Sequence, residues 1–426
     1  MEVKAGYKQT EVGVIPEDWI VKSVDEIADV KGGRRLPLGK SLSDTVTAHP
    51  YIRLIDMRFG KVKVEDIKYV PDDVFPLIKN YCISSRDIFI SVVGATLGTI
   101  GKIPPELDGA NLTENADRIT KICCDQDFLL FNLLAERIQN RIESEKTVGA
   151  QPKLALTRIE KFRIALPPNP GEQRAIAIAL SDADAHISSL EQVIAKKRDL
   201  KQAAMQELLI GKRRLPEYTE KWEVYTFGEI FTFLNTANYP WSDLSETGDV
   251  KYIHYGDVHK NPPPTFDSKK NELPFIKKEK VKDIPRVLDG DLVMVDAAED
   301  YVGTGKSFEV INVSGQEIVA GLHTLLMRGD NNLIADGFKG YLQCIPEVKS
   351  ALIKIATGIS VYGISQNNVK KIEVTLPKVK EQTAIATVLS NMDAELTALE
   401  QQRDKTKAIK QGMMQELLTG RIRLMS

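Results

Sequence analysis

The sequence is poor in the features that mark several common classes of protein. Its 426 residues include four cysteines and five histidines, at spacings typical of neither a disulfide framework nor a metal site. Lysine and arginine total 57 against 59 acidic residues, and the net charge of −2 gives no overall positive field that would attract an anionic partner. No apolar run approaches the roughly twenty residues that cross a bilayer, and the polar start MEVKAGYKQ is unlike a signal peptide. We therefore expect a soluble, cytoplasmic protein without a metal or a membrane partner.

Motifs of enzymes are incomplete in this chain. NPPP at 261–264 is similar to the Asn-Pro-Pro-aromatic motif of adenine methyltransferases, but its fourth position is Pro264. GTGKS at 303–307 lacks the first glycine of a phosphate-binding loop, because Asp300 stands at that position. Pro71 and Asp72 are not followed closely by the Glu-x-Lys of a nuclease carboxylate set. We expect no catalytic residues and no cofactor, and we expect any catalysis to reside in partner proteins.

What the sequence does contain is a long stretch that occurs twice. EQRAIAIALSDADAHISSLEQVIAKKRDLKQAAMQELLIG begins at Glu172, and EQTAIATVLSNMDAELTALEQQRDKTKAIKQGMMQELLTG begins at Glu381. The offset is 381 minus 172, or 209 residues, and the two copies align to Gly211 and Gly420 without an insertion. Internal repeats dictate architecture, so the chain is predicted to consist of two similar halves.

Each copy is predicted to form one long helix with an apolar seam. Apolar residues alternate in steps of three and four, which keeps them on one stripe for a partner helix. Asn169, Pro170 and Glu172 give the first helix a cap, an N1 proline and an N3 carboxylate, and the two glycines stand where helices end. About forty residues at roughly 1.5 Å each make a rod of about 60 Å. The seam residues are Ile176, Leu180, Ala183, Ile187, Leu190 and Ile194 in the first copy, and Ile385, Leu389, Met392, Leu396 and Leu399 in the second.

The shared seam predicts that the two helices pair with each other. Both seams break at matching places and resume one residue out of phase. The breaks lie at Lys197 and Lys201 in the first copy, and at Arg403, Thr406 and Lys410 in the second. A pseudo-twofold relation between similar halves would make the pair an antiparallel coiled coil. The alternative interpretation is that each helix packs only on its own domain.

The repeat extends into the segments before the helices. WIVKSVDEI from Trp19 matches WEVYTFGEI from Trp222, and YIRLIDM from Tyr51 matches YIHYGDV from Tyr252. RDIFISVVG matches GDLVMVDAA, and KFRIALPP matches KIEVTLP; these short apolar runs are typical of strands. We predict an α+β fold of two similar mixed α/β domains separated by the two long helices. The predicted segments are a first domain at 1–168, a first helix at 169–211, a second domain at 212–377 and a second helix at 378–426.

The two predicted domains share a plan but differ in their loops. KGGRRLPLGK at 31–40 corresponds to NTANYPWSDL at 235–244, and VGATLGTIGK at 93–102 corresponds to EDYVGTGK at 299–306. Different loops on one scaffold are typical of two modules that bind two different targets. The alternative is unselected drift of surface loops.

The order of these motifs resembles a known family. The opening TEVGVIPEDW, the LPP and EQ residues before and at the start of the helix, the MQELL-x-G end and the half-chain repeat closely resemble the specificity subunit of Type I restriction-modification systems. The resemblance covers essentially the whole chain. It implies that each domain is a target recognition domain that reads one half of a split, asymmetric double-stranded DNA sequence. It also implies that the helices bind two modification subunits, which methylate adenine, and that restriction subunits join this core.

Given this resemblance, loop residues with hydrogen-bonding or aromatic groups are candidates for DNA contact. Arginine can bind a guanine edge or a phosphate, glycine permits close backbone approach, and an amide can read adenine. Of the family's Gly-Gly-Thr-Pro-like turn, only the glycines and Pro37 match here. The candidates are Lys31, Gly32, Gly33, Arg34, Arg35, Arg53, Arg58, Lys61, Asn115 and Gln151 in the first domain, and His254, Tyr255, Lys260, Tyr301, Lys306 and His323 in the second. For each one the alternative is a solvated or internally hydrogen-bonded side chain.

Three functional hypotheses follow. The first is a non-catalytic DNA-reading adaptor, which explains the repeat, the helices and the incomplete active-site motifs, and which could form a homodimer through its helices when alone. The second is a stand-alone DNA methyltransferase or nuclease with an unfamiliar site. The third is a paired-helix scaffold that binds only protein. The adaptor hypothesis predicts that the isolated chain does not bind a methyl donor, which distinguishes it from the second. Loss of sequence-selective DNA binding in the reconstituted complex would favour the third.

Overall fold

The computed structural model describes residues 4–146, 152–260, 264–300, 303–359 and 361–424. The chain divides into two compact units, of which unit 1 comprises Met1–Glu191 with Gln401–Ser426, and unit 2 comprises Gln192–Glu400. Each unit therefore contains a globular part and a portion of both long helices. The mixed α/β character and the long helices are as predicted, whereas the domain boundaries at 168, 211 and 377 stay a prediction.

Short strands and short helices build the globular part of unit 1. Its strands are β1 (Tyr7–Thr10), β2 (Gly13–Pro16), β3 (Ile20–Ser23), β4 (Asp29–Gly32), β5 (Pro50–Ile52), β6 (Met57–Arg58), β7 (Lys61–Val62), β8 (Lys68–Tyr69), β9 (Cys82–Ile83), β10 (Ile88–Ser91), β11 (Ile100–Lys102), β12 (Ala110–Leu112), β13 (Ala116–Thr120) and β14 (Arg163–Leu166). Its helices are α1 (Val24–Ile27), α2 (Phe75–Ile78), α3 (Gln126–Leu134), α4 (Glu136–Glu145), α5 (Leu156–Glu160) and the first part of α6 (Pro170–Leu208).

Two four-stranded sheets organise unit 1. One is antiparallel in the order β11-β10-β13-β4, and the other is mixed in the order β8-β5-β12-β9. Strand β14 pairs with β3 just before α6 begins, so the last strand delivers the chain to the long helix as predicted. The main core packs Trp19 and the apolar face of β10 and β13 against Ile176 and Leu180 of α6.

Unit 2 repeats this plan with different lengths. Its strands are β15 (Glu223–Thr226), β16 (Phe231–Leu234), β17 (Val250–Ile253), β18 (Thr265–Asp267), β19 (Phe275–Ile276), β20 (Leu292–Val295), β21 (Ala297–Ala298), β22 (Ser307–Ile311), β23 (Ile318–Ala320), β24 (Thr324–Gly329), β25 (Tyr362–Gly363) and β26 (Glu373–Leu376). Its helices are α7 (Phe227–Ile230), α8 (Tyr255–Lys260), α9 (Pro346–Ile355), α10 (Gln366–Val369) and the first part of α11 (Val379–Leu417).

Unit 2 has a five-stranded sheet, β16-β24-β20-β22-β18, and a three-stranded sheet, β19-β17-β23, and several of their strands correspond to strands of unit 1. The order β20-β24-β16 repeats the order β10-β13-β4, and β15 pairs with β26 as β3 pairs with β14. The loop after β4 and the loop after β16 consequently leave equivalent strands of equivalent sheets. The sequence predicted this correspondence, because the matching motifs lie on these strands.

The ends of α6 and α11 follow from their sequence signals. The Asn169 side chain accepts a hydrogen bond from Gly171 N at 2.8 Å, which caps the first turn of α6. Gly211 and Gly420 lie just beyond the two C-terminal ends with φ of 70° and 69°, a conformation that favours glycine.

Within each unit the two long helices run antiparallel. In unit 1, Lys410 pairs with Asp184 at 2.6 Å and Lys407 with Glu191 at 2.7 Å, so numbers rise on one helix as they fall on the other. Most predicted seam residues are buried between the helices or in the adjoining cores, while Ala183, Met392 and Leu399 are half-buried. In unit 2 the same direction is given by two ion pairs, Lys197–Glu395 and Lys201–Asp393.

A buried ion pair fastens the helices in unit 1. Glu172, in the first turn of α6, is only 2% exposed and receives two hydrogen bonds from the Arg423 guanidinium at 2.5 and 2.7 Å. Arg423 also pairs with Asp18 at 2.9 Å and lies 5.7 Å from the ring centroid of Trp19. The hydrogen bonds to Glu172 and Asp18 raise the pKa of Arg423. The start of α6 is thus joined to the tail that follows α11.

Unit 2 contains the equivalent ion pair. Glu381, in the first turn of α11, is 2% exposed and binds the Arg214 guanidinium at 2.5 and 2.6 Å. Arg214 follows α6 and lies 5.5 Å from the ring centroid of Trp222, whose Nε1 donates to Glu381 at 3.3 Å. We call Glu172–Arg423 and Glu381–Arg214 the two clasps.

The glutamine after each clasp glutamate attaches the helix to its globular part. Gln173 accepts a hydrogen bond from Asp125 N at 3.0 Å and donates to Pro167 O at 2.8 Å. Gln382 accepts from Ala335 N at 2.8 Å and donates to Pro377 O at 2.8 Å. The repeated Glu-Gln pair therefore has a structural role at the start of both helices.

Loss of one clasp should destabilise its unit. Arg214→Ala leaves the Glu381 carboxylate buried without its cation, so we expect the free energy of unfolding of unit 2 to fall by about 3 kcal/mol. Urea denaturation followed by tryptophan fluorescence measures this change. Arg213→Ala is the matched control, because Arg213 is the exposed neighbour and should change stability little. Equal effects of the two substitutions would contradict the structural role of the clasp.

Candidate nucleic-acid interface

The turn after β4 contains the glycine pair of the first unit. Gly33 N donates to Ala116 O at 2.9 Å, and a Cβ on Gly33 would lie 2.1 Å from Thr113 O. Only glycine fits there, because any side chain would overlap that backbone. Gly33 thus allows its backbone to pack closely against the backbone of Thr113, within the protein itself. The residues that follow Gly33 lie at the surface.

Arg34 and Arg35 follow this turn and are exposed. Arg35 binds Glu114 Oε1 through Nε and Nη2 at 3.1 and 3.0 Å, yet 74% of its side chain remains exposed. The Arg34 guanidinium lies 5.5 Å from the ring centroid of Tyr81. Lys31 is exposed on β4, with Asp29 at 3.4 Å. Such exposed ion pairs are weak, so these cations are free to exchange partners with phosphate or a base edge.

Other predicted candidates of unit 1 serve the fold. Arg53 binds Asp56 through Nε and Nη2 at 2.9 and 2.7 Å, and those hydrogen bonds raise its pKa. Arg58 donates to the carbonyls of Ile55 and Met57 at 2.9 and 2.7 Å. Lys61 is exposed on β7. Because the guanidinium of Arg53 is already occupied, the structure favours Lys61 over Arg53 as a surface cation.

Two polar residues at the start of β13, Asn115 and Asp117, lie close to the glycine turn that follows β4. Asn115 is half-buried just before β13, and its backbone carbonyl accepts from Val92 N at 2.9 Å. Asp117, two residues further on, pairs with Gly32 across the sheet and is only 6% exposed. Burial raises the pKa of Asp117 to about 6. The predicted candidate Gln151 lies outside the described residues.

An aromatic cluster marks the corresponding side of unit 2, and it consists of Trp241, His254, Tyr255, His259 and His323. Tyr255 is central, with ring centroids 4.2 Å from His254, 6.1 Å from His259 and 5.7 Å from His323. Trp241 adds an exposed indole 5.5 Å from His254. Aromatic faces and imidazole nitrogens offer stacking, apolar and hydrogen-bonding contacts to bases.

The cluster combines surface rings with a buried histidine. His254 is buried, and burial lowers its pKa, which favours the neutral imidazole. His323 is exposed, and its Nδ1 lies 3.4 Å from Asp296 Oδ1. His254 therefore supports the surface formed by Tyr255 and His323 rather than presenting its own ring.

Lysines extend this surface of unit 2. Lys260 is exposed and lines a cleft of about 850 Å³ together with Trp241, Lys251, Lys269 and Phe275. Lys306 is half-buried beside a separate small cleft at Thr304 and Gln343. Tyr301 lies outside the described residues. The structure thus places Lys260 beside the aromatic cluster.

Sequence reasoning missed three residues of these surfaces. Trp241 lies in NTANYPW, the loop that corresponds to the GGRRLP turn, so that correspondence was a usable signal. His259 lies one turn after Tyr255 on the same helix, a spacing that places both on one face. Asp117 had no sequence signal, because only the register of β13 with β4 places it beside the glycine turn.

The described residues carry no sign of a metal site, a disulfide or a membrane span. Across the parts of the chain that the structure describes, no three His, Cys, Asp or Glu side chains are arranged to hold a metal ion. The four cysteines are free. None of the described helices combines the length and the apolar character needed to span a membrane.

These observations define a class of protein. A duplicated α+β fold presents exposed cations on one unit and an aromatic, lysine-rich surface on the other, from loops that leave equivalent strands. A long helix follows the globular segment in each half of the chain, and the two long helices pair within each unit. This combination is that of a protein with two related modules that present different surfaces.

Comparison with known proteins identifies the family. The model of the Type I restriction modification DNA specificity domain matches residues 16–197 and again 219–410. The "Putative type I restriction enzyme MjaX specificity subunit" of Methanocaldococcus jannaschii is 25% identical over 98% of this chain and 97% of its own length. The fold is similar to that of a Type-I restriction-modification system S subunit from M. genitalium, with a TM-score of 0.57, 16% identity and coverage of 98% of both chains. It is also similar to a chain solved in work on the assembly and conformational transition of the type I R-M system, with a TM-score of 0.56, 16% identity and coverage of 96% of this chain and 99% of that one.

The chain belongs to the family of Type I restriction modification DNA specificity domains and carries two copies of that domain. The resemblance found in the sequence motifs is confirmed. The chain is therefore a DNA-recognition component of a restriction-modification system and not its catalytic subunit.

The buried Asp117 carboxylate predicts a pH-dependent stability. Its pKa of about 6 exceeds the ordinary value of roughly 3.9, so the folded state holds this proton to higher pH than the unfolded state does. The free energy of unfolding therefore falls as pH rises from about 4 to about 6, and the full penalty is present above that range. Asp117→Asn should raise the free energy of unfolding at pH 8 by about 1 to 3 kcal/mol, with a smaller gain at pH 5.

Urea unfolding at pH 5, 6.5 and 8 measures this gain. Asp66→Asn is the control, because Asp66 is an exposed carboxylate of the same unit. A gain for Asp117→Asn that does not change with pH would show that burial of charge is not its cause.

Proposed function

We propose that each unit reads one half of a split, asymmetric DNA target, and that the chain acts in the cytoplasm as the specificity subunit that positions two modification subunits and the restriction subunits. The observation that carries this proposal is the pair of different surfaces on equivalent loops. An arginine-rich turn follows β4, whereas the loop with Trp241 follows β16. Two different surfaces on one scaffold suit two different half-sites.

The charge distribution supports local contacts with DNA. With a net charge of −2, attraction to the phosphate backbone depends on small groups of cations. Unit 1 offers Lys31, Arg34 and Arg35 together, and unit 2 offers Lys260 with Lys251 and Lys269 along one cleft. Phosphate contacts would position each unit, and base-edge contacts by Arg34, Arg35 or Tyr255 would select the sequence.

The helices support a proposal of two equivalent docking sites for partners. Leu200 on α6 is 49% exposed within unit 2, and Ile409 on α11 is 52% exposed within unit 1. Their numbers differ by 209, the offset of the repeat, so they are equivalent residues. Apolar side chains at equivalent exposed positions suit two copies of one partner subunit. Formation of a homodimer through the helices stays a prediction for the chain without its partners.

Exchange of one recognition module tests the split target. If residues 13–168 are replaced by the corresponding segment of another family member, we expect one half-site of the methylated sequence to change and the other to persist. The donor segment must keep the equivalents of Asp18 and Trp19, because both contact Arg423. Single-molecule sequencing of the methylated genome reads both half-sites at once.

A reciprocal exchange is the control for this experiment. Replacement of residues 212–377 should change the half-site that the first exchange preserved. A change of both half-sites by either exchange would contradict two independent reading units.

The arginines after the glycine turn should contribute to binding in unit 1. We expect Arg34→Ala with Arg35→Ala to weaken binding of the modification complex to its target by about 1 to 3 kcal/mol for each arginine that hydrogen-bonds a base in the wild type. Fluorescence anisotropy at fixed salt concentration measures this, with duplexes in which either half-site is scrambled. The matched control is Arg86→Ala, because Arg86 is an exposed arginine of unit 1 away from the turn.

A substitution in unit 2 should affect the other half-site. Tyr255→Ala should reduce discrimination at the second half-site and preserve it at the first. If both variants bind every duplex as the wild type does, the two surfaces are solvated loops and not the DNA interface.

A further inference from the structure

One buried carboxylate of unit 1 has no partner. In the described part of unit 1, Asp56 is paired with Arg53, Asp87 accepts from Ser84 N at 2.9 Å, and Glu172 is held by Arg423. Asp117 is buried to the same extent as Asp87, at 6% exposed, yet within the same described part no hydrogen bond or ion pair reaches its carboxylate. Burial of a charge without a partner costs free energy. The fold satisfies its other buried carboxylates and leaves this one unsatisfied.

The fold does not require a carboxylate at this position. Ile90 on β10 pairs with Asp117 on β13, and Met294, which occupies the place of Ile90 in the repeated strand, pairs with Leu325 on β24. Leu325 packs against the core of unit 2. The same position of the equivalent sheet thus accepts an apolar side chain, so the sheet itself does not need a carboxylate there.

The Asp117 carboxylate is mostly buried but is not completely sealed from solvent. A Cβ on Gly32 would lie 3.5 Å from Asp117 Oδ1, so a side chain at that position would contact the carboxylate, whereas glycine leaves that space free. Some polar atoms of the chain, such as Trp19 Nε1, are sealed from solvent without a partner, but the oxygens of Asp117 are not among them. The exposed Arg34 begins two residues after Gly32. Asp117 therefore lies at the base of the turn that carries the candidate DNA-contacting arginines.

We propose that the Asp117 carboxylate accepts a hydrogen bond from the exocyclic amino group of a base, cytosine N4 or adenine N6, in the half-site that unit 1 reads. This inference rests on the proposed function. An ionised carboxylate only accepts hydrogen bonds, so it matches an amino group and rejects the carbonyl that guanine or thymine presents at the same place in the major groove. Asp117 is thus a specificity-determining residue, whose missing partner is supplied by the target.

Methylome mapping with two substitutions tests this role. Asp117→Asn retains the shape but adds an amide donor, and Asp117→Leu copies the residue of unit 2. Each variant is co-expressed with its modification subunit in a host that lacks adenine methylation, and methylated adenines are mapped by single-molecule sequencing. We expect both variants to lose about tenfold to a hundredfold of discrimination at one position of one half-site, while the other half-site is unchanged. The wild-type base at that position identifies the amino group as that of cytosine or adenine.

The controls separate this inference from the proposed function. Asp66→Asn, an exposed carboxylate variant of the same unit, should leave the methylated sequence unchanged. If the wild type yields a split sequence and both folded Asp117 variants yield the same one, Asp117 does not read DNA and only this inference is overturned. If the wild type itself yields no split sequence, the proposed function is overturned, and this inference falls with it.

Discussion

A carboxylate buried at the start of each long helix has its cation on the tail that follows the other long helix. Glu172 is neutralised by Arg423 and Glu381 by Arg214, and each arginine also lies over the tryptophan that begins the neighbouring repeat. A buried carboxylate without a cation is strongly unfavourable, so each unit is complete only when the distant tail is in place. This constraint fixes the antiparallel direction of the helices within each unit, and it explains why unit 1 contains residues from both ends of the chain.

The clasps leave the loops free to vary. The helix starts, the tails and the strands adjoining them are held by repeated contacts that do not involve the loops after β4 and β16. The turn after β4 needs only Gly33 for its path, and the residues beyond it are exposed arginines. The corresponding segment of unit 2 carries Trp241 and lies beside Tyr255 instead. One architecture can in this way present two unrelated chemical surfaces, which is the requirement for a protein that recognises two different sequences.

Stability and recognition are opposed at Asp117. An unpaired carboxylate in the sheet reduces the stability of the free protein, and unit 2 shows that leucine is accepted at the equivalent place. A buried carboxylate without a partner lowers the stability of the free protein, but it contributes favourable binding free energy in a complex that supplies its hydrogen-bond donor. It also discriminates well, because a base without the donor leaves the carboxylate buried and unsatisfied.

The sequence by itself determined the parts of this protein that depend on local periodicity and on repetition. The repeat at 209 residues, the helices with their caps, the equivalent strands and the family all follow from spacing and motif order, which are visible along the chain. Only the tertiary structure decided which charged groups are available. Arg53 and Arg35 are both loop arginines in the sequence. In the structure the buried Asp56 binds Arg53, whereas Arg35 remains 74% exposed beside the half-buried Glu114. Asp117 acquired its role from the register of β13 with β4, a pairing between residues more than eighty positions apart. Burial and hydrogen-bond partners arise from such long-range contacts, and local sequence carries no signal for them.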